Sequence, residues 1–193
     1  MKKENLKIIC DQIAACKSCK LHETRNKTVP GEGDVNAKVM LIGEGPGAEE
    51  DQEGRPFVGR AGKLLEKILN SAGFKREDVF ITNIVKCRPP NNRNPEQKEM
   101  KACSKFIDAQ IAIINPKIIV TVGSISTKAL ISDLIGSDGI TKLRGRIFDW
   151  RGIKVVPILH PSYLLRNPSV EEGKPKWHTW KDMLMIKELI NKP

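Results

Sequence analysis

Apolar positions in this chain follow two periods, helical and unbroken, and they alternate along its length. Leu6, Ile9, Cys10, Ile13 and Ala14 recur at helical spacing, which predicts an amino-terminal helix with Cys10 on its buried face as a core residue. Four short runs rich in Val and Ile, Lys38 to Ile42, Val79 to Ile84, Lys117 to Gly123 and Lys154 to Leu159, read as strands buried on both faces. Between the first two, Ala61, Leu64, Leu65, Ile68, Leu69 and Ala72 form a helical stripe that stops at Gly73. Between the second and third, Asn94 is expected to cap a helix with Pro95 at its first position and Gln97 closing a capping box. Met100, Cys103, Ile107, Ile111 and Ile114 continue that helix to Asn115 and Pro116. Ser124 to Leu130 reads as a shorter helix and Trp177 to Ile190 as a terminal one. This alternation predicts an α/β fold, a three-layer α/β/α sandwich around a central four-stranded parallel sheet with right-handed crossovers. Residues 19–37, 43–60, 86–93 and 161–176 are left as long loops, with no internal repeat or low-complexity linker.

At 193 residues the chain fills one core, so residues 1–193 are expected to form one domain. Charge changes the picture of its partners: 33 Lys and Arg against 23 Asp and Glu give +10, which favours a polyanion such as nucleic acid over an acidic small molecule. No apolar run is long enough to cross a bilayer, and residues 1–16 are a charged amphipathic stretch without a signal-peptide core, so a cytoplasmic protein with no membrane partner is expected. Five cysteines without an export signal point to reduced thiols or metal ligation, not a disulfide framework.

Candidate chemistry lies where strands end. Gly43-Glu44-Gly45-Pro46-Gly47 follows the first strand, and its glycines let backbone N–H groups approach a ligand closely. It lacks the Lys-Ser or Lys-Thr ending and the GxGxxG spacing of nucleotide-binding loops. In the same loop Phe57 can stack on a flipped base or simply pack in the core. Asn83 ends the second strand, and its amide offers a donor and an acceptor together, matching O4 and N3–H of uracil where cytosine has the reverse polarity; the plainer alternative is an Asn that ties down a turn. After the fourth strand, His160-Pro161-Ser162 carries an imidazole able to donate to a leaving base as charge builds on its O2. Cys16, Cys19, Cys87 and Cys103 form an all-thiolate set that suits zinc or a four-iron four-sulfur cluster, and spacing alone does not choose between them. With no open ligand position implied, such a centre would be structural, pinning the segment after Cys87 against the amino terminus.

Over nearly its full length the sequence resembles the family 4 uracil-DNA glycosylases, the iron-sulfur branch of that superfamily. The resemblance rests on GEGPG at Gly43 to Gly47, PFVGRAGKLL at Pro56 to Leu65, TNIVKCRPPNNRNP at Thr82 to Pro95, HPSYLL at His160 to Leu165, and the cysteine set. It implies hydrolysis of the bond between uracil and deoxyribose in single- or double-stranded DNA, leaving an abasic site for base excision repair. It also implies that Cys16, Cys19, Cys87 and Cys103 hold a 4Fe-4S cluster, that Phe57 stacks on uracil, that Asn83 reads its edge with Glu44, Gly45 and Pro46 alongside, and that His160 stabilises the departing anion. The family 1 enzymes carry an Asp in the first loop to orient water, where this chain has Gly45, and a Tyr that excludes thymine, where it has Gly47. Glu44 and Glu50, with Asp51 behind them, are the carboxylates available for water, and Glu50 is a candidate wall against the thymine methyl. Leu164, four residues after His160, is the expected wedge into the duplex, with Arg166 and the basic loop from Lys86 to Arg93, Arg88 and Arg93 included, on flanking phosphates. A monomer is expected. The rival readings are a nucleic-acid-binding or regulatory iron-sulfur protein that has lost the chemistry, and an electron carrier, for which the chain has no flavin or second-cluster motif.

Overall fold

The computed structural model describes residues 1–191, so the last two residues of the expected 1–193 domain lie outside the described residues. Helix α1 (Lys2–Ala15) leads through a 3₁₀ turn (Lys20–Glu23) to a two-residue strand β1 (Glu32–Gly33) and then β2 (Val39–Gly43). The chain continues through α2 (Ala48–Glu53), α3 (Arg60–Ser71), β3 (Phe80–Asn83) and α4 (Gln97–Ile114). Then come β4 (Ile118–Val122), α5 (Ser124–Ile135), α6 (Ile140–Leu143), the hairpin β5 (Phe148–Trp150) and β6 (Ile153–Ile158), α7 (Pro161–Arg166) and α8 (Pro175–Asn191).

The sheet has six strands in the order β1-β3-β2-β4-β6-β5. The four expected strands are its central, mutually parallel members, whereas β1 and β5 are added antiparallel at the two edges. The expected four-stranded sheet is therefore enlarged to a mixed, mostly parallel one. Both edge strands are too short to show a hydrophobic period, and β5 is paired through the two-residue turn Arg151-Gly152, whose positive φ angles suit a tight hairpin.

Alternate side chains of the central strands enter two cores. Met40, Ile42, Phe80, Ile119 and Val155 pack with Ile13 of α1, Phe106, Ile107 and Ile111 of α4, and Ile131 of α5. Val39, Leu41, Ile81, Val120 and Val156 face the other way, onto Leu65 and Leu69 of α3 and Met183 and Ile186 of α8. Each such fully buried aliphatic side chain contributes about 1.5–3 kcal/mol relative to exposure. Helices thus flank the sheet on both faces.

Helix α4 starts later than expected. Its N-cap is Glu96, not Asn94, because the buried Glu99 carboxylate reaches back to the Glu96 N–H at 2.7 Å and is itself held by Arg93. The expected loops at 43–60 and 161–176 contain the short helices α2 and α7, and α5 runs on to Ile135 through a kink at Ile131. No helix among the described residues is long and apolar enough to cross a membrane.

Candidate active site

All four parallel strands end on the same side of the sheet, with Gly43 of β2 beside Asn83 of β3 and Val122 of β4 beside Ile158 of β6. The chain leaves β2 toward β3 on one side and then crosses to β4 on the other, so a crevice opens at the carboxyl ends where the direction reverses. It is a cavity of about 670 Å³ whose lining includes Glu44, Phe57, Asn83, His160, Tyr163 and Arg166. Gly45, Pro46 and Glu50 also face it, so one cavity joins the expected pocket residues.

The β2–β3 junction fixes the reading group. Ile84 and Val85 donate their N–H groups to the carbonyls of Gly43 and Glu44 at 2.9 and 3.1 Å, which locks the first loop to the end of β3. Asn83 is 1% exposed, and its Oδ1 is the buried side-chain oxygen without a hydrogen-bond partner among the described residues. A buried acceptor left unpaired in this way costs about 1–3 kcal/mol, so it marks a place where a ligand donor belongs. Gly43 is obligatory here: a Cβ on it would run into Asn83 Oδ1 and approach Phe57 Cζ to 2.6 Å.

Phe57 is buried and has the left-handed backbone conformation, φ 50°, which strains a bulky residue by roughly 1–3 kcal/mol. Two devices hold it. Arg76 donates to the carbonyls of Phe57, at 3.1 Å, and Pro56, and is anchored by Glu32 at 2.8 Å. Glu50 accepts from the N–H groups of Gly47 (3.1 Å), Val58 (3.0 Å) and Gly59 (2.9 Å), so it latches the glycine loop to the segment after Phe57. The carboxylate also occupies the space a side chain at Gly47 would need, since a Cβ there would lie 2.7 Å from Glu50 Oε2.

His160 follows β6 by two residues and caps α7. Its Nδ1 accepts from the Ser162 N–H at 3.1 Å and lies 2.7 Å from Ser162 Oγ, so the proton of the neutral ring sits on Nε2. Burial, helped by the nearby Arg166 cation and opposed by Glu50, pushes the imidazole pKa down to about 4. The ring centre is 6.1 Å from that of Phe57, tilted by 37°. The site therefore offers an uncharged N–H donor, an aromatic face and an open amide oxygen around one cavity.

Several expectations change. Asp51 is fully buried and accepts from the N–H and side-chain amide of Asn26, so it ties α2 to the amino-terminal segment and does not serve the cavity. Burial raises the half-buried Glu44 carboxyl, and Glu44 remains the carboxylate facing the cavity outside that backbone latch. Leu164 is not exposed: it is 0% accessible and belongs to the core under α3, because α7 turns that face inward. Its neighbours Tyr163 and Leu165, 37% and 36% exposed, carry the apolar surface instead. Arg93 lines the cavity, yet its guanidinium is paired with Glu99 at 2.7 and 2.9 Å, and Arg88 donates to Asn92 Oδ1. Arg166 is exposed at the mouth. Sequence reasoning missed Arg76, and it placed Lys86 in the phosphate-binding loop although Lys86 is buried; a lysine inside the apolar run leading to Cys87 was the available signal.

Cys16, Cys19, Cys87 and Cys103 together line a second, small cavity between the segment after α1 and α4. Burial raises the thiols of Cys87 and Cys103, and each also feels the charge of its neighbouring thiols. Arg25 donates to Cys87 Sγ at 3.2 Å and to the carbonyls of Cys16 and Ala14 at 2.9 and 3.0 Å. Among the described residues no three His, Cys, Asp or Glu side chains close on a single-ion site; the four cysteines line one small cavity. Cys10, half-buried on α1, stands outside that lining.

Comparison with known proteins agrees with this geometry. Residues 30–184 match the uracil DNA glycosylase superfamily. The type-4 uracil-DNA glycosylase of Thermotoga maritima is 49% identical over 171 residues, covering 88% of each chain. Those of Sulfurisphaera tokodaii and Saccharolobus solfataricus are 49% and 47% identical over 175 residues, covering 88% of this chain and 80% and 81% of theirs. On matches of this length and closeness, the chain belongs to the uracil DNA glycosylase superfamily, in its type-4 branch.

Proposed function

We propose that this uracil-DNA glycosylase grips an extruded uracil between Phe57, Asn83 and His160 and releases it as an anion. The observation that carries this reading is the orphaned Asn83 Oδ1, an acceptor suited to uracil N3–H, with the amide nitrogen beside it suited to O4. Cytosine offers no proton at N3 and an amine where uracil has O4, so the same amide opposes it. Phe57 supplies the stacking face, and Glu44, Gly45 and Pro46 line the rim around the base. Glu50, filling the space beside Gly47, is the wall against the thymine methyl.

The bond from uracil N1 to deoxyribose C1′ breaks first, through an oxocarbenium-like state, and its electron pair leaves with the base. His160 Nε2–H donates to uracil O2 as negative charge builds there. A neutral imidazole suits this role, because it gives a hydrogen bond without a charge that must be desolvated. Water then adds to C1′, and its proton passes to Glu44, whose raised pKa makes it a better acceptor. Base excision repair receives the abasic site. Flipping costs a few kcal/mol. Stacking on Phe57 and insertion of Tyr163 at the cavity mouth, in place of the buried Leu164, offset it. Arg166, with Arg88 and Arg93 when their present partners release them, holds flanking phosphates of single- or double-stranded DNA.

Cys16, Cys19, Cys87 and Cys103 are the residues that would hold a 4Fe-4S cluster. Four cysteines, soft donors lining one small cavity, and a guanidinium on Cys87 Sγ fit a multi-iron centre of net negative charge. The cluster would supply structure only, pinning the segment after β3 to the amino terminus. Residues 1–193 would act as one domain and one monomer. Purified protein should be brown and contain iron, and Cys87→Ser should bleach it and lower its melting temperature; a colourless, zinc-loaded protein of full activity would contradict the assignment.

The function itself is tested by incubating the protein with oligonucleotides carrying uracil opposite guanine, uracil opposite adenine, and thymine opposite guanine, followed by alkali. Strand cleavage at both uracils and not at thymine is expected. Intact strands throughout would leave a DNA-binding protein without the chemistry.

A further inference from the structure

Lys86 is 1% exposed and lines the cysteine site, three residues after the Asn83 that lines the uracil cavity. Its Nζ meets three acceptors: Thr82 Oγ1 at 2.6 Å, the Asn83 carbonyl at 2.8 Å and Gln110 Oε1 at 2.7 Å. The two side-chain acceptors are oriented from behind. The Thr82 hydroxyl donates its proton to the Pro30 carbonyl at 2.9 Å, and the Gln110 amide donates to the same carbonyl at 2.7 Å, which turns its oxygen toward Lys86. Three acceptors and no donor around one nitrogen describe an ammonium using all three of its protons. Burying a cation is costly unless its protons are paired, and here all three have acceptors.

The backbone acceptor belongs to Asn83. Its carbonyl is the last of β3, and the next N–H, that of Ile84, is bound to Gly43. With the ammonium on one side of this peptide and β2 on the other, the residue bearing the base-reading amide cannot rotate about its exit bond. We propose that Lys86 is a positioning residue for Asn83, a strut from α4 and the segment leading to Cys87 that holds the reading amide in register with the cavity. This rests on the reading of Asn83 as the uracil-binding group.

A double-mutant cycle tests it, with single-turnover excision, inhibition by free uracil, affinity for abasic-site DNA and the iron-sulfur absorption followed together. Lys86→Met should slow excision and weaken free uracil by about tenfold to a hundredfold, while abasic-DNA affinity and the absorption band stay unchanged. On an Asn83→Ala background the same substitution should cost nothing further, because the amide it serves is gone. Gln110→Met, which removes one acceptor far from the cavity, should give a smaller loss with the same non-additivity, and it serves the cycle if Lys86→Met does not fold. Wild-type rates in both variants, or an equal loss with and without Asn83, would overturn the proposal. A fully active Asn83→Ala enzyme would instead overturn the reading of Asn83, a separate outcome.

Discussion

Replacing His160 by Leu should slow the bond-breaking step by about a hundredfold or more, with little change in affinity for abasic-site DNA. The imidazole is an uncharged donor in the cavity: Ser162 N–H fixes Nδ1 as an acceptor, and Nε2–H is left for the ligand. A preorganised donor aimed at developing charge is worth roughly 3–4 kcal/mol in a water-poor site, which converts to that rate. Single-turnover kinetics with uracil-containing oligonucleotide and binding to abasic DNA separate the two effects; an equal loss in both would make His160 a binding residue. The pH dependence adds a second check. Because burial lowers the folded-state pKa from 6.5 to about 4, the ring stays neutral throughout the neutral range, and the rate should show no His160 titration between about pH 5 and 8. Stability moves the other way in acid. Between those two pKa values the unfolded chain binds a proton that the folded chain does not, so this group makes the fold less stable as pH falls through the window.

Asn83→Asp should reduce uracil excision by two orders of magnitude or more and raise activity toward cytosine relative to uracil. The change is nearly isosteric, so packing beside Gly43 and Phe57 is kept while the hydrogen-bond pattern changes. The amide donor to O4 is lost and, if ionised, replaced by a carboxylate oxygen facing the carbonyl of the base. Sites built to pair a buried polar group discriminate strongly against ligands that leave it unpaired. The same oxygen accepts from the cytosine amine. Excision from otherwise identical oligonucleotides carrying uracil or cytosine measures both arms, and unchanged rate and selectivity would remove Asn83 from base recognition.

Much of this was legible in the sequence because parallel strands buried on both faces leave unbroken apolar runs. The stretch Val39–Gly43 is buried at every position, and the residues that follow such runs must emerge at the sheet's carboxyl edge. That logic brings Glu44, Asn83 and His160 to one edge from the sequence alone. It could not find β1 or β5, where two and three residues carry too little pattern and pairing depends on a neighbouring strand. Nor could it orient α7, whose six residues turn Leu164 inward and Tyr163 out. The burial of Lys86 and the backbone latch made by Glu50 are not legible because their partners are distant: Gln110 lies 24 residues away from the first, and the Val58 and Gly59 N–H groups lie 8 and 9 from the second. Buried charge is a property of what converges on it, and convergence is set by the fold.

The most direct measurement is a crystal structure of the protein soaked with free uracil. The ring should lie against Phe57, with N3–H on Asn83 Oδ1 and O2 on His160 Nε2. Uracil bound elsewhere, or in this cavity with those two contacts unmade, would contradict the account.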